Sequence, residues 1–192
     1  MAELTEQDRA QPFETRTDTV MKSAGYAVIL ASVATALLPA WNFASGPLVI
    51  GLLMIGVGLL EALANAFRKK GRWAAMAAGI ASIAAGALLI AGPETSFAGV
   101  VHVVIGWLVL RAILLAMSAF ETPRRVKRMP LIAAAIDLTL AAVVWIGLTA
   151  SALVIALFGP TEHVIGDFAW VLAISFICSG LLLLGFAREH VE

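Results

Sequence analysis

Apolar residues fall into six stretches, roughly 20–40, 46–67, 73–92, 98–120, 131–151 and 164–187, separated by charged residues, prolines or polar runs. Each holds about 20 residues, and at ~1.5 Å rise per residue a helix of that length crosses a hydrocarbon core of ~30 Å. Leucine, alanine, valine and isoleucine occupy every side of each stretch and do not alternate with period two. That pattern predicts helices and argues against the strands of a barrel. The expected fold is therefore all-α: a polytopic membrane protein with six transmembrane helices. The fifth stretch carries no charge from Leu131 to Phe158 except Asp137. At roughly 40 Å it is too long for an untilted span, which leaves 152–158 to protrude, tilt or lie in the interface.

Composition agrees. Of the 192 residues, 61% are hydrophobic and 14% charged, with a mean hydropathy of +0.95. Soluble domains hold about 45–50% apolar and about 25% charged residues, so a soluble enzyme is excluded. Lys plus Arg and Asp plus Glu each number 13, giving zero formal charge and no basic face for nucleic acid. A single cysteine makes no internal disulfide, and no Cys/His cluster has metal-ligand spacing. Residues 1–19 are polar, contain Pro12 and lack the features of a cleaved secretory signal. They read as a flexible cytoplasmic tail that leads, through N-cap candidates Thr17, Asp18 and Thr19, into a first helix acting as an uncleaved anchor. Residues 20–187 form the membrane domain, and 188–192 a second short tail.

Arg9, Arg16 and Lys22 precede or open the first helix. Arg68, Lys69, Lys70 and Arg72 join the second to the third, and Arg124, Arg125, Lys127 and Arg128 join the fourth to the fifth. Arg188 follows the sixth. The alternate connections, around 41–46, 93–97 and 159–163, contain no Lys or Arg. The positive-inside rule then places both termini in the cytoplasm, and Trp41, Trp73 and Trp170 near helix ends fit interfacial anchors.

The helices also repeat in pairs. Gly25 and Pro39 match Gly79 and Pro93 at a constant offset of 54, and Ile55-Gly56 matches Ile105-Gly106 at an offset of 50. Gly180 overlays Gly58 as a third copy. The reading is three tandem helical hairpins, about 20–70, 73–125 and 129–187. With the glycine-rich run from Gly51 through Gly56 to Gly58, the helix ending Ala91-Gly92-Pro93, and Asp137 one turn inside the fifth helix, this organisation resembles the HdeD family. Those are small bacterial membrane proteins associated with acid resistance. The resemblance covers about residues 22–187, and the stretch 149–163 departs from it. It implies a multi-pass protein of the bacterial inner (plasma) membrane with a part in acid stress, and it carries over no site residue.

Chemistry is sought first among ionisable residues inside the spans, because a charge at the bilayer centre costs about 2.5–3.5 kcal/mol even on insertion scales. Three qualify: Glu61, Arg111 and Asp137. Glu61 and Arg111 each follow a matched glycine by five residues. From the same membrane face the three lie roughly 9, 13 and 9 Å deep. They are expected to cluster, with Arg111 neutralising one carboxylate and the other able to take a proton. The cluster can equally be an ion pair that only fixes helix packing, or its members can snorkel to the interface. On the opposite face His102, His163 and Asp167 form a candidate pH-responsive set, or are ordinary surface residues, with Asp167 at the start of the sixth helix.

Small residues at Ala74, Ala78, Ser82 and Gly86 form a stripe permitting close helix approach, and Gly51, Gly56 and Gly58 are expected to do the same for the second helix. Asn65 either bonds across helices or contacts headgroups, and Cys178 reads as a small buried residue. No catalytic motif, cofactor site or metal site is present in the sequence, so the chain is not expected to be an enzyme. The bilayer is the implied partner, a homo-oligomer is compatible, and any ion or small-molecule substrate is left open. A role in acid stress, a small transporter or channel using the polar cluster, and an interaction scaffold are the three functional expectations.

Overall fold

The computed structural model describes residues 19–34, 37, 47–68, 71–92, 97–122, 126–158 and 164–189. Among them every regular element is an α-helix: α1 (Thr19–Ala34), α2 (Pro47–Ala66), α3 (Arg72–Ala91), α4 (Phe97–Glu121), α5 (Arg128–Phe158) and α6 (Val164–Glu189). α2 to α6 are each long and apolar enough to cross a membrane, whereas α1 is shorter over its described length. Pro47 opens α2, where its missing N–H is no loss. Gly71 precedes α3 with φ 64°, a left-handed conformation that favours glycine and turns the chain sharply between α2 and α3.

Two boundaries differ from expectation. α5 is one unbroken helix of 31 residues, about 46 Å long, so 152–158 continue it and do not form a separate segment. No proline or glycine interrupts its last turns, which is why the helix persists beyond the expected end. α6 extends through Arg188 to Glu189, taking two residues from the expected tail. The tail 1–18, Trp41, Pro93 and His163 lie outside the described residues.

α2 and α3 pack antiparallel at glycine contacts. A Cβ placed on Gly51 would meet the Gly86 carbonyl oxygen at 2.7 Å, and one on Gly86 would meet that of Gly51 at 2.5 Å. Two turns along, Gly58 and Gly79 repeat the arrangement at 2.7 and 2.8 Å. α1 and α6 use the same device: Gly25 and Gly180 face each other's carbonyl oxygens at 3.0 and 2.9 Å. Such approaches leave room only for hydrogen, and they bring backbones into van der Waals contact where no hydrophobic force draws helices together. Gly56 does not take part. It is exposed, with nothing within 4 Å of a built Cβ, because it lies on the side of α2 away from α3. Ala74 is half-buried, and the packed face of α3 instead runs through Ala75, Ala78, Gly79, Ser82, Ala85 and Gly86. Trp73 and Trp170 are exposed.

The buried apolar residues form two clusters. One contains Met54, Val57, Val104, Leu108, Leu172 and Phe176; the other contains Ala78, Ala112, Leu115, Ala133, Leu182 and Phe186. On α4 the first cluster ends at Leu108 and the second begins at Ala112. Arg111 stands between them.

Candidate functional site

Arg111 is 1% exposed, and its guanidinium is the centre of a polar layer set among the buried apolar residues. Nη2 donates to Glu61 Oε1 on α2 at 2.7 Å. Nη1 lies 3.4 Å from Asp137 Oδ2 on α5. From α6, the Ser175 and Ser179 hydroxyls accept from Nη1 and Nη2 respectively. Ser175 then donates to Asp137 Oδ1 at 2.6 Å, so one hydroxyl joins the cation to the carboxylate. Four helices thus contribute to one site. A helix places residues four apart on one face, and Ser175 and Ser179 use that spacing to reach the two ends of a single guanidinium.

The layer is short of hydrogen bonds at two atoms. Among the described residues, Arg111 Nε and Asp137 Oδ2 have no hydrogen-bond partner, the latter making the ion-pair contact only. Aromatic faces cover the guanidinium on the side of the first apolar cluster. The Trp107 ring centre is 5.5 Å from Arg111 Cζ and the Phe176 ring centre 5.4 Å, and the two rings tilt against each other. Trp107 Nε1 donates to Ser82 Oγ on α3 at 2.9 Å, which fixes the indole in place.

Toward the connection between α2 and α3 the surroundings are polar. Asn65, one turn beyond Glu61, donates from Nδ2 to the Ala75 carbonyl on α3 at 3.5 Å, which selects the cross-helix alternative for this residue. Its Oδ1 accepts from Arg68 Nη1 at 3.3 Å, and Arg68 Nη2 donates to Thr122 Oγ1 at 3.5 Å. Arg68 is buried, its guanidinium 3.8 Å above the Phe186 ring, and no described carboxylate pairs with it. Desolvation by burial lowers its pKa to about 10. A cavity of about 10 Å³, near the least volume that holds one water, is lined by Glu61, Asn65, Arg68, Arg111 and Ser179. An apolar groove of about 220 Å³ lies between α5 and α6, lined in part by Met129, Ile136, Cys178 and Leu181. Cys178 is half-buried on that groove, more open than a core cysteine.

The structure therefore brings Glu61, Arg111 and Asp137 together. His102 is not with them: it is exposed on α4, about 13 Å along the helix from Arg111, with its ring edge-on to Trp145 at 6.3 Å. Asp167 lies in the first turn of α6. Among the described residues no three His, Cys, Asp or Glu side chains are grouped to hold a metal. Sequence reasoning missed Ser175, Ser179, Trp107 and Arg68. The serine pair at i and i+4 in an apolar helix was an available signal, whereas Arg68 was hidden within a basic run.

Comparison with known proteins finds no matching family model, no matching curated protein and no matching solved structure.

Proposed function

We propose that the chain is an HdeD-like integral membrane protein that contributes to acid-stress resistance, with the Glu61–Arg111–Asp137 triad as a site that takes up one proton. The observation carrying this reading is the charge balance of the triad: one guanidinium faces two carboxylates in a layer where all three side chains are buried. An uncompensated charge in such surroundings is costly, and one added proton brings the triad to neutrality. Ser175 and Ser179 hold the cation in place through that change.

In this reading the chain forms three tandem hairpins with both termini on the cytoplasmic side. Support comes from the glycine contacts. Gly25 with Gly180 corresponds, through offsets of 54 and 122, to Gly79 with Gly58, and Ile29 meets Gly180 as Ile83 meets Gly58. The Arg68–Thr122 contact also brings the connection after α2 to the end of α4, as expected if both basic stretches face the cytoplasm.

The test is survival of a deletion strain after acid challenge, complemented with wild type, Glu61→Gln or Asp137→Asn at equal protein levels. Rescue by wild type and loss of rescue by either variant is expected. Equal rescue by all three removes the triad from the function, and unchanged survival without the protein removes the acid-stress role.

A further inference from the structure

We infer that the triad exchanges its proton with one membrane face only, through a passage past Asn65 and Arg68, with Arg68 as the gate. This rests on the proton-holding reading of the triad and adds the direction of access and the residue that controls it.

The two sides of the triad differ in chemistry. Toward the connection between α2 and α3, a cavity walled in part by Leu115, Leu182 and Leu183 carries a line of polar side chains, Glu61, then Asn65, then Arg68, which stands beyond the last residue of α2. Glu61 lines this cavity and Asp137 does not, so Glu61 is the carboxylate that first meets an entering proton. In the opposite direction the rings of Trp107 and Phe176 lie on the guanidinium, and behind them come Met54, Val104, Leu108 and Leu172, none more than 2% exposed. Ser82 and the Trp107 indole N–H also lie in this direction, but they bond to each other while Ser82 donates to the Ala78 carbonyl, so neither is free to relay a proton. Sideways, the groove beside α5 and α6 is lined by apolar residues and Cys178, and Asp137 is buried behind it.

The titratable groups gathered here are the triad itself, Glu61 on α2, Arg111 on α4 and Asp137 on α5, with the Cys178 thiol of α6 nearby and Arg68 at the far end of the cavity. α3 presents only Ala75 and Ala78 to the cavity. Arg68 is thus the cation that an incoming hydronium must pass. Its hydrogen bonds to Asn65 and Thr122 are long, at 3.3 and 3.5 Å, and they constrain it less than the short contacts that hold Arg111. The passage is narrow, about the room for a single water, which suits a proton and excludes larger solutes.

The experiment uses the full chain in liposomes, with orientation read from an impermeant maleimide reacting at Arg128→Cys in a Cys178→Ser background. Infrared difference spectra follow the carboxylic-acid C=O band while one face or the other is acidified. In wild type the band appears on acidifying the Arg68 face and not the opposite one. Arg68→Ala speeds its appearance about tenfold, equivalent to about 1.4 kcal/mol on the barrier. Arg68→Lys, which keeps the charge, stays near wild type, and Asn65→Leu, which fills the passage, slows it. A band that responds from the opposite face, or equally from both, overturns the one-sided access. An Arg68→Ala rate equal to wild type overturns the gate. Absence of the band at every pH overturns the proton-holding reading on which both depend.

Discussion

Gly58 and Gly79 face each other backbone to backbone, each occupying the space a Cβ on the other would need. A Cβ on Gly79 would lie 2.7 Å from the Ala62 nitrogen and 2.8 Å from the Gly58 carbonyl oxygen, both backbone atoms that cannot rotate away. Gly79→Ala is therefore expected to destabilise the protein by about 1–3 kcal/mol through overpacking. Gly56→Ala, where nothing lies within 4 Å, should be neutral or stabilising by up to about 1 kcal/mol from helix propensity. Thermal unfolding of the two variants in detergent checks the contrast, and equal midpoints would contradict the packing described.

Removing Arg111 leaves two buried carboxylates without their cation. Arg111→Met should cost about 3–5 kcal/mol, while combining it with Glu61→Gln and Asp137→Asn should recover most of that loss, because the cost lies in the stranded charges. Denaturation of the single and triple variants decides it. A triple variant no more stable than the single one would show that the guanidinium matters for packing alone.

Ser175 is the hydroxyl shared by Arg111 and Asp137. Ser175→Ala should cost about 1.5–3 kcal/mol, the range for hydrogen bonds to charged groups, and Ser175→Thr should retain much of the stability. Ser23, exposed on α1 and donating to the Val20 carbonyl of its own helix, is the control, with an alanine there changing stability by less than about 0.5 kcal/mol.

The legibility of this site in sequence was uneven. Glu61, Arg111 and Asp137 stood out because charge inside an apolar run is rare, and helix rise alone put them at compatible depths. Ser175 and Ser179 did not: their four-residue spacing marks one face of α6, but a serine in an apolar helix usually bonds its own backbone, so the spacing names no partner. Gly51, Gly58 and Gly86 are among the small residues expected to permit close approach, and they do so, whereas Gly79 reads in the sequence only as a repeat marker and the stripe on α3 follows a four-residue spacing. The contact instead follows Gly51 and Gly58 against Gly79 and Gly86, seven apart, because two straight antiparallel helices meet again after two turns. Arg68 belonged to a run explained by topology, and only the fold reveals that Phe186 covers it.

Arg68 also predicts a pH dependence. Its folded pKa of about 10 lies below the ordinary arginine value, so the folded chain binds fewer protons between the two and stability rises with pH there. Below about pH 10 the burial penalty is fully present. Relative to Arg68→Met, wild-type stability should therefore increase from about pH 9 to about pH 11. An unchanged difference would mean the guanidinium is better solvated than its burial indicates.

The Gly25–Gly180 contact joins the first helix to the last, and this has a bearing on how the chain is made. Synthesis completes α1 long before its partner exists, so Gly25 waits uncovered while four more helices emerge. Arg111 enters with Glu61 already in place, yet both serine acceptors arrive only with α6. A nascent chain stalled or truncated ahead of α6 thus exposes an unmatched helix face and an under-bonded guanidinium at once. Those are two separate marks of incompleteness, and both vanish when α6 docks.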